Sequence, residues 1–213
     1  MFPVYAIVDT LLVSSLGLQT LDCATAMLDA GIRLLQIRHK GNWTEELFQQ
    51  SSRLSEYCQS CGAQLVINDR ADVAALLGVG IHVGQDDLTA TEARSVAGPE
   101  AFLGVSTHNE QQLRQALTQP VNYVALGPIY GTQSKQNPDP IVGVAELQRL
   151  RSIVDKPLVA IGGISRTRAV EVWRAGADSV AVIGDLYPAG ADLNSIRERA
   201  AEWVKLSSNE RRR

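Results

Sequence analysis

Leu34-Leu35-Gln36-Ile37-Arg38-His39-Lys40 opens as an apolar strand and closes on polar side chains spaced two apart. Successive strand side chains point to opposite faces, so Gln36, Arg38 and Lys40 share one face, and His39 turns away from Arg38. Two cations and an amide where a strand enters a loop suit an anionic ligand, because Arg offers a planar donor fork and Lys a mobile point charge. An edge strand with a solvated face would read the same way. The rest of the chain decides between them.

Moving outward, similar β-branched runs recur: Val4–Val8, Leu34–Ile37, Gln64–Ile67, Ile81–Val83, Phe102–Val105, Tyr123–Leu126, Leu158–Ile161 and Ser179–Ile183. Apolar residues at helical spacing fill the intervals, as at Leu21/Ala24/Met27/Leu28 and Ala169/Val172/Trp173, and a last helix is expected near Leu193–Leu206. Gly31, Gly62 and Gly176 stand where helices should stop, and Thr44, Asn109 and Ser165 where they should start. Eightfold strand–helix alternation within 213 residues predicts an α/β fold, a single-domain (β/α)8 barrel spanning 1–213, with residues 207–213 as a frayed tail. The one long connection, Gly127–Gly143, is too polar to be core.

Hydrophobic residues make up 45% of the chain, and 20 basic against 23 acidic side chains give a net charge of −3. That balance supplies no broad basic field for nucleic acid. No leader-like segment or membrane-length apolar run appears, so a soluble, cytoplasmic protein is expected. Cys23, Cys58 and Cys61 make no disulfide framework; Cys58-Gln59-Ser60-Cys61 has redox spacing, but no second pair completes a zinc site. Composition neither fixes nor forbids a homo-oligomer.

Ligands of such barrels bind at the carboxyl ends of the strands. Polar residues gather at those ends here: Asn68-Asp69, Gly84-Gln85-Asp86-Asp87, Ser106-Thr107-His108, and Gly127 to Lys135. Asp69 and Asp87 either cap helices or bind Mg²⁺, which commonly takes one or two carboxylates together with phosphate oxygens. Facing Arg38, Lys40 and Lys135, a metal-bound diphosphate would satisfy both signs of charge. Gly162-Gly163 and Ile183-Gly184 occupy the place where barrels often hold a phosphate through backbone N–H groups. His82, within a strand, reads as a hydrogen-bonded core residue, whereas His108 at a strand end is a candidate acid/base group.

These segments together resemble the thiamine phosphate synthase family from end to end. The resemblance is carried by Tyr5-Ala6-Ile7-Val8-Asp9, Gln36 to Lys40, Ile67-Asn68-Asp69-Arg70, Ile81 to Leu88, Gly104 to His108, Gly127 to Lys135 and Ala160-Ile161-Gly162-Gly163-Ile164. It implies a condensation of 4-amino-2-methyl-5-pyrimidinylmethyl diphosphate with 4-methyl-5-(2-phosphoethyl)thiazole, giving thiamine phosphate and diphosphate. It also implies that Gln36, Arg38, Lys40, Asn68, Ser106 and Lys135 hold the pyrimidine diphosphate, with Arg38, Ser106 and Lys135 serving the chemistry. Asp69 and Asp87 would hold one Mg²⁺, and Thr132, Ser134, Gly163, Ile183 and Gly184 the thiazole phosphate. Gly184 stands where the family commonly has serine, Gly131 where it commonly has proline, and Asp185-Leu186-Tyr187-Pro188 departs from its usual small residues.

The expected chemistry needs no covalent nucleophile. Diphosphate leaves a methylene on an electron-rich aminopyrimidine, and the thiazole nitrogen captures the cation, so the protein must chiefly stabilise charge on the leaving group. Two alternatives stand beside it: a thiazole tautomerase-like isomerase, against which Asp69, Asp87 and Lys135 argue, and a barrel that binds thiamine precursors without turnover.

Overall fold

Each of the eight apolar runs forms a strand, and the strands pair in parallel in chain order, with β8 returning to β1 to close a barrel. The computed structural model describes residues 1–132 and 139–210. The strands are β1 (Val4–Asp9), β2 (Leu34–Arg38), β3 (Gln64–Asn68), β4 (Gly80–Val83), β5 (Leu103–Thr107), β6 (Tyr123–Leu126), β7 (Leu158–Ile161) and β8 (Ser179–Val182). Most of their side chains are buried on both faces, which is why they read as near-continuous apolar runs rather than alternating ones.

Small departures from the expected strand ends matter for the site. β2, β3 and β5 continue through Arg38, Asn68 and Thr107, so Arg38, Asn68 and Ser106 stand on strand backbone and not in loops. Conversely, β8 stops at Val182, and Ile183 precedes a 3-10 turn over Gly184–Leu186.

Helices α1 (Thr10–Ser15), α2 (Thr20–Asp29), α3 (Glu45–Ser60), α4 (Ala71–Leu77), α5 (Ala90–Ala97), α6 (Glu110–Leu117), α7 (Val144–Arg151), α8 (Arg166–Arg174) and α9 (Leu193–Glu210) surround the sheet. The short α1 goes beyond the sequence reading; Asp9 starts it by accepting from the N–H groups of Leu11 and Leu12, each at 3.1 Å. Thr44 and Asn109 cap α3 and α6 as expected, accepting from Leu47 N–H at 3.2 Å and Gln112 N–H at 2.9 Å. Ser165 precedes α8, but its hydroxyl bonds Thr167 Oγ1 instead of a backbone N–H. The tail expected to fray from residue 207 is helical through Glu210, with Ser207 buried and Glu210 paired with Arg174 at 2.7 Å. Residues 211–213 lie outside the described residues.

Two apolar layers result from strand alternation. The larger lies between sheet and helices and includes Ala6, Val8, Leu35, Ile37, Leu65 and Ile67. The smaller fills the barrel interior with Tyr5, Ile7, Leu34, Val66, Tyr123, Ala125, Val159 and Ala181. Tyr123 anchors this inner layer, stacking on Phe102 at 4.9 Å between ring centroids and on His82 at 5.6 Å, contacts of about 0.5–1.5 kcal/mol each for aromatic pairs. The inner layer forms the floor of the site.

Candidate active site

Above that floor, at the carboxyl ends of the strands, opens a cavity of about 820 Å³, within the usual range for small-molecule sites. Inward-facing positions line it: Gln36, Arg38 and Lys40 project into it together, as their two-residue spacing predicts. His39 points the other way, bonding Thr10 Oγ1 at 2.7 Å and Asn42 O at 3.1 Å.

Arg38 is held by Asp9, whose second carboxylate oxygen accepts from the guanidinium while the first caps α1. Asp9 therefore engages one guanidinium nitrogen of Arg38, which lines the cavity. The sequence reading quoted Asp9 within a motif but gave it no role. Lys40 pairs with Asp69. Asn68 is buried, lines the cavity, and its amide nitrogen has no hydrogen-bond partner among the described residues. A buried unmade donor is costly, so Asn68 Nδ2 is placed to meet a ligand acceptor.

The capping alternative for the two acids does not hold. Arg70 occupies the position before α4, and Thr89 caps α5 in a reciprocal pair with Glu92. Asp69 instead sits at φ 65°, an uncommon conformation for a side-chain-bearing residue. Asp87 closes its own turn by accepting from Gly84 N–H at 2.9 Å. Asp87 neighbours Asp69: burial, then Asp87, pushes Asp69 up to about 6, against the pull of Lys40. Two neighbouring carboxyls that repel when both are charged can share a cation. Among the described residues no cluster of three or more His, Cys, Asp or Glu is placed to hold a metal. Two carboxylates suffice for Mg²⁺ only if phosphate oxygens and water complete the shell, so this donor set fits an ion that arrives with a phosphorylated ligand.

Across the cavity lie Thr132, Gly163, Ile183 and Gly184, all in its lining, while Ser134 and Lys135 fall outside the described residues. Gly163, at φ 62°, has a packing reason beside the one its sequence suggests: an added Cβ would meet Gly131 O at 2.3 Å and Tyr130 Cβ at 2.9 Å. Its lack of a side chain admits the segment after β6, which is stitched to β7 by Ile129 N–H to Ile161 O at 2.8 Å and Tyr130 N–H to Gly162 O at 3.0 Å. At Gly184 nothing lies within 4 Å of an added Cβ. The following turn is fixed by Asp185, whose carboxylate accepts from Arg166 Nε and buried Trp203 Nε1, both at 3.0 Å.

His108 lines the cavity, donates from Nδ1 to Gly127 O at 2.6 Å, and turns Nε2 toward Asp139 at 3.5 Å, bridging the two described ends of the long connection. His82 is a hydrogen-bonded core residue as expected, and it also faces the cavity. Burial pushes it down to about 4, so it is neutral near pH 7. Tyr5 joins it in the lining and was not singled out from sequence; the available signal was its inward register. Cys58 is buried with its thiol pushed up to about 12 by desolvation, which argues against redox chemistry at Cys58–Cys61. Among the described residues no helix is long and apolar enough to cross a membrane.

A family model described as thiamine monophosphate synthase matches residues 4–186. The thiamine-phosphate synthase of Koribacter versatilis is 46% identical over 184 residues, covering 86% of this chain and 84% of that protein. That of Moorella thermoacetica is 36% identical over 189 residues, covering 88% and 90%. Among solved structures, a thiamine phosphate pyrophosphorylase from Pyrococcus furiosus superposes with a TM-score of 0.85 at 24% identity, covering 98% of this chain and 96% of that one. A 2-keto-3-deoxy-6-phospho-gluconate aldolase from Zymomonas mobilis reaches 0.67 at 17% identity, covering 94% and 91%. At these identities the structural likenesses show the fold alone.

Proposed function

This chain belongs to the thiamine monophosphate synthase family, a family of transferases, and from that premise we propose that it joins 4-amino-2-methyl-5-pyrimidinylmethyl diphosphate to 4-methyl-5-(2-phosphoethyl)thiazole. The observation that carries this reading is the meeting, in one cavity, of Arg38, Lys40 and the unpartnered Asn68 amide with the paired carboxyls of Asp69 and Asp87. Donors for phosphate oxygens beside two acids that need a cation suit a diphosphate bound with Mg²⁺.

On this reading Asn68 Nδ2, Arg38 and Lys40 bind the diphosphate, with Arg38 oriented by Asp9. Asp69 and Asp87 hold Mg²⁺, which neutralises charge on the leaving diphosphate. Gln36 and Ser106 orient the pyrimidine, and Lys135 adds a further cation by its place in the sequence. The diphosphate departs with its bonding pair, and the thiazole nitrogen closes the new C–N bond. Fixed donors aimed at the growing negative charge lower the barrier, because their cost of ordering is already met in the fold. Thr132, Gly163, Ile183 and Gly184 hold the thiazole phosphate on the opposite wall, and Ser134 joins them by its place in the sequence.

Incubation of the purified protein with both substrates and Mg²⁺ tests the reading: thiamine phosphate and diphosphate should form in equal amounts. Isomerisation of a thiazole without condensation would favour the tautomerase alternative, and binding of both substrates without product would leave a non-catalytic barrel.

A further inference from the structure

We propose that Tyr5, Tyr123 and His82 are positioning residues that force Gln36 and Ser106 to present opposite hydrogen-bonding polarity to the substrate, one as acceptor and the other as donor. The proposal deepens the reading above and rests on it for the substrate's identity, though not for the behaviour of the protein alone.

A single chain of contacts crosses the barrel interior. Gln36 Nε2 donates to the Tyr5 hydroxyl at 2.8 Å, and the Tyr5 and Tyr123 hydroxyls lie 3.0 Å apart. Tyr123 Oη is 2.9 Å from His82 Nδ1, and His82 Nε2 is 2.8 Å from Ser106 Oγ. The Tyr5 and Tyr123 hydroxyls are buried, so their hydrogens must find partners within this chain, whereas Gln36 and His82 also reach the cavity.

With Gln36 Nε2 as the donor at one end, counting those hydrogens sets the direction of every other link. Each hydroxyl carries one hydrogen and a neutral imidazole carries one. Tyr5 accepts from Gln36, so its own hydrogen goes to Tyr123. Tyr123 must then donate to His82 Nδ1, which puts the imidazole hydrogen on Nε2. His82 therefore donates to Ser106 Oγ and leaves the Ser106 hydrogen to point at a ligand. A protonated imidazole breaks the count, because His82 and Gln36 would donate into the tyrosine pair from both ends and strand one hydroxyl hydrogen in the core.

Rotating the Gln36 amide by half a turn reverses every link. Gln36 would then offer its NH₂ to the cavity, and Ser106 would donate inward and offer only lone pairs. The two ends are thus coupled: acceptor at Gln36 goes with donor at Ser106, and the reverse. With Gln36 Nε2 committed to Tyr5, the cavity selects a planar heterocycle that brings an amino donor to Gln36 Oε1 and an acceptor to Ser106. The aminopyrimidine meets that requirement. An analogue with oxo in place of the amine does not, unless the whole chain reverses.

Nitrogen-15 NMR of histidine-labelled, ligand-free protein reads the tautomer, with the His82 signals identified by their loss in His82→Gln. The expected wild-type state carries hydrogen on Nε2. Tyr123→Phe keeps the ring but removes the donor to Nδ1, so His82 should populate both tautomers. Preference for the amino over the oxo substrate should fall about tenfold, the scale of one ordinary hydrogen bond, and kcat for the amino substrate should change less. Tyr5→Phe leaves the buried Tyr123 hydroxyl no partner but His82 Nδ1, so there His82 should keep its hydrogen on Nε2. Hydrogen on Nδ1 in the wild type or in Tyr5→Phe, or an unchanged tautomer in Tyr123→Phe, overturns the proposal, and the first two readings stand even if Tyr123→Phe does not fold. The expected tautomers in a protein that makes no thiamine phosphate would support the coupled chain and count against the proposed reaction.

Discussion

Gly104 on β5 lies so close to the ring of Tyr123 on β6 that a Cβ at residue 104 would sit 1.9 Å from Tyr123 Cζ. The two are register partners, and both face the barrel interior, where the missing side chain is the space the ring occupies. Gly104→Ala should therefore force the ring out of its stack with Phe102 and His82. Overpacking of this kind costs about 1–3 kcal/mol, measurable as a lower urea midpoint at constant slope. A variant as stable as the parent would show that the ring has room to move.

Gly104 also shows how far the sequence could be read. The eight strands were legible because each is a β-branched run between helical intervals, and parallel strands buried on both faces leave that mark. The shared face of Gln36, Arg38 and Lys40 followed from strand alternation alone. What escaped were pairings between distant strands: nothing local in Tyr5, His82 and Tyr123 says that their polar atoms meet, since positions 5 and 123 are brought together only by barrel closure. Asp9 escaped because a residue that caps a helix and holds an arginine looks, in sequence, like either alone. Gly163 was legible as a required glycine, but one reason for it, the close passage of Gly131, was not.

Asp69→Asn should abolish most Mg²⁺-dependent turnover, by at least about 10²-fold, the scale of losing one stabiliser of developing charge. The metal-free fold should persist, and at neutral pH its melting temperature should not drop, because an amide in place of the Asp69 carboxylate removes the like charge beside Asp87 and so offsets the lost pair with Lys40. Full activity in Mg²⁺ would remove Asp69 from the metal site.

The pH dependence of metal-free stability should separate two groups with opposite signs. His82 is pushed from 6.5 down to about 4 in the fold, so between these values the unfolded chain binds the extra proton and stability rises with pH. Asp69 is pushed from 3.8 up to about 6, so over that window the folded protein binds the extra proton and stability falls as pH rises. The two nearly offset between pH 4 and 6. Melting curves across this range should show His82→Gln losing ground to the parent as pH rises and Asp69→Asn gaining it. Parallel profiles for all three proteins would mean that neither group is shifted in the fold.

Gly163 and Gly184 together test how the thiazole side is built. Gly163→Val must displace Gly131 O from 2.3 Å and adopt φ near 62°, so it should lower the melting temperature as well as raise KM for the thiazole phosphate. Gly184→Ser meets nothing within 4 Å at Cβ, so its melting temperature should match the parent's. If that wall grips the phosphate through backbone N–H groups, the added hydroxyl should leave KM for the thiazole within about threefold, a change of less than 1 kcal/mol, with KM for the pyrimidine diphosphate untouched. A drop of tenfold or more would show that a serine hydroxyl joins the contact and that this chain works without one. A comparable rise would show instead that the ligand itself fills the space left open by Gly184. Steady-state kinetics with each substrate varied in turn, run beside the melting curves, separates these outcomes from simple loss of fold.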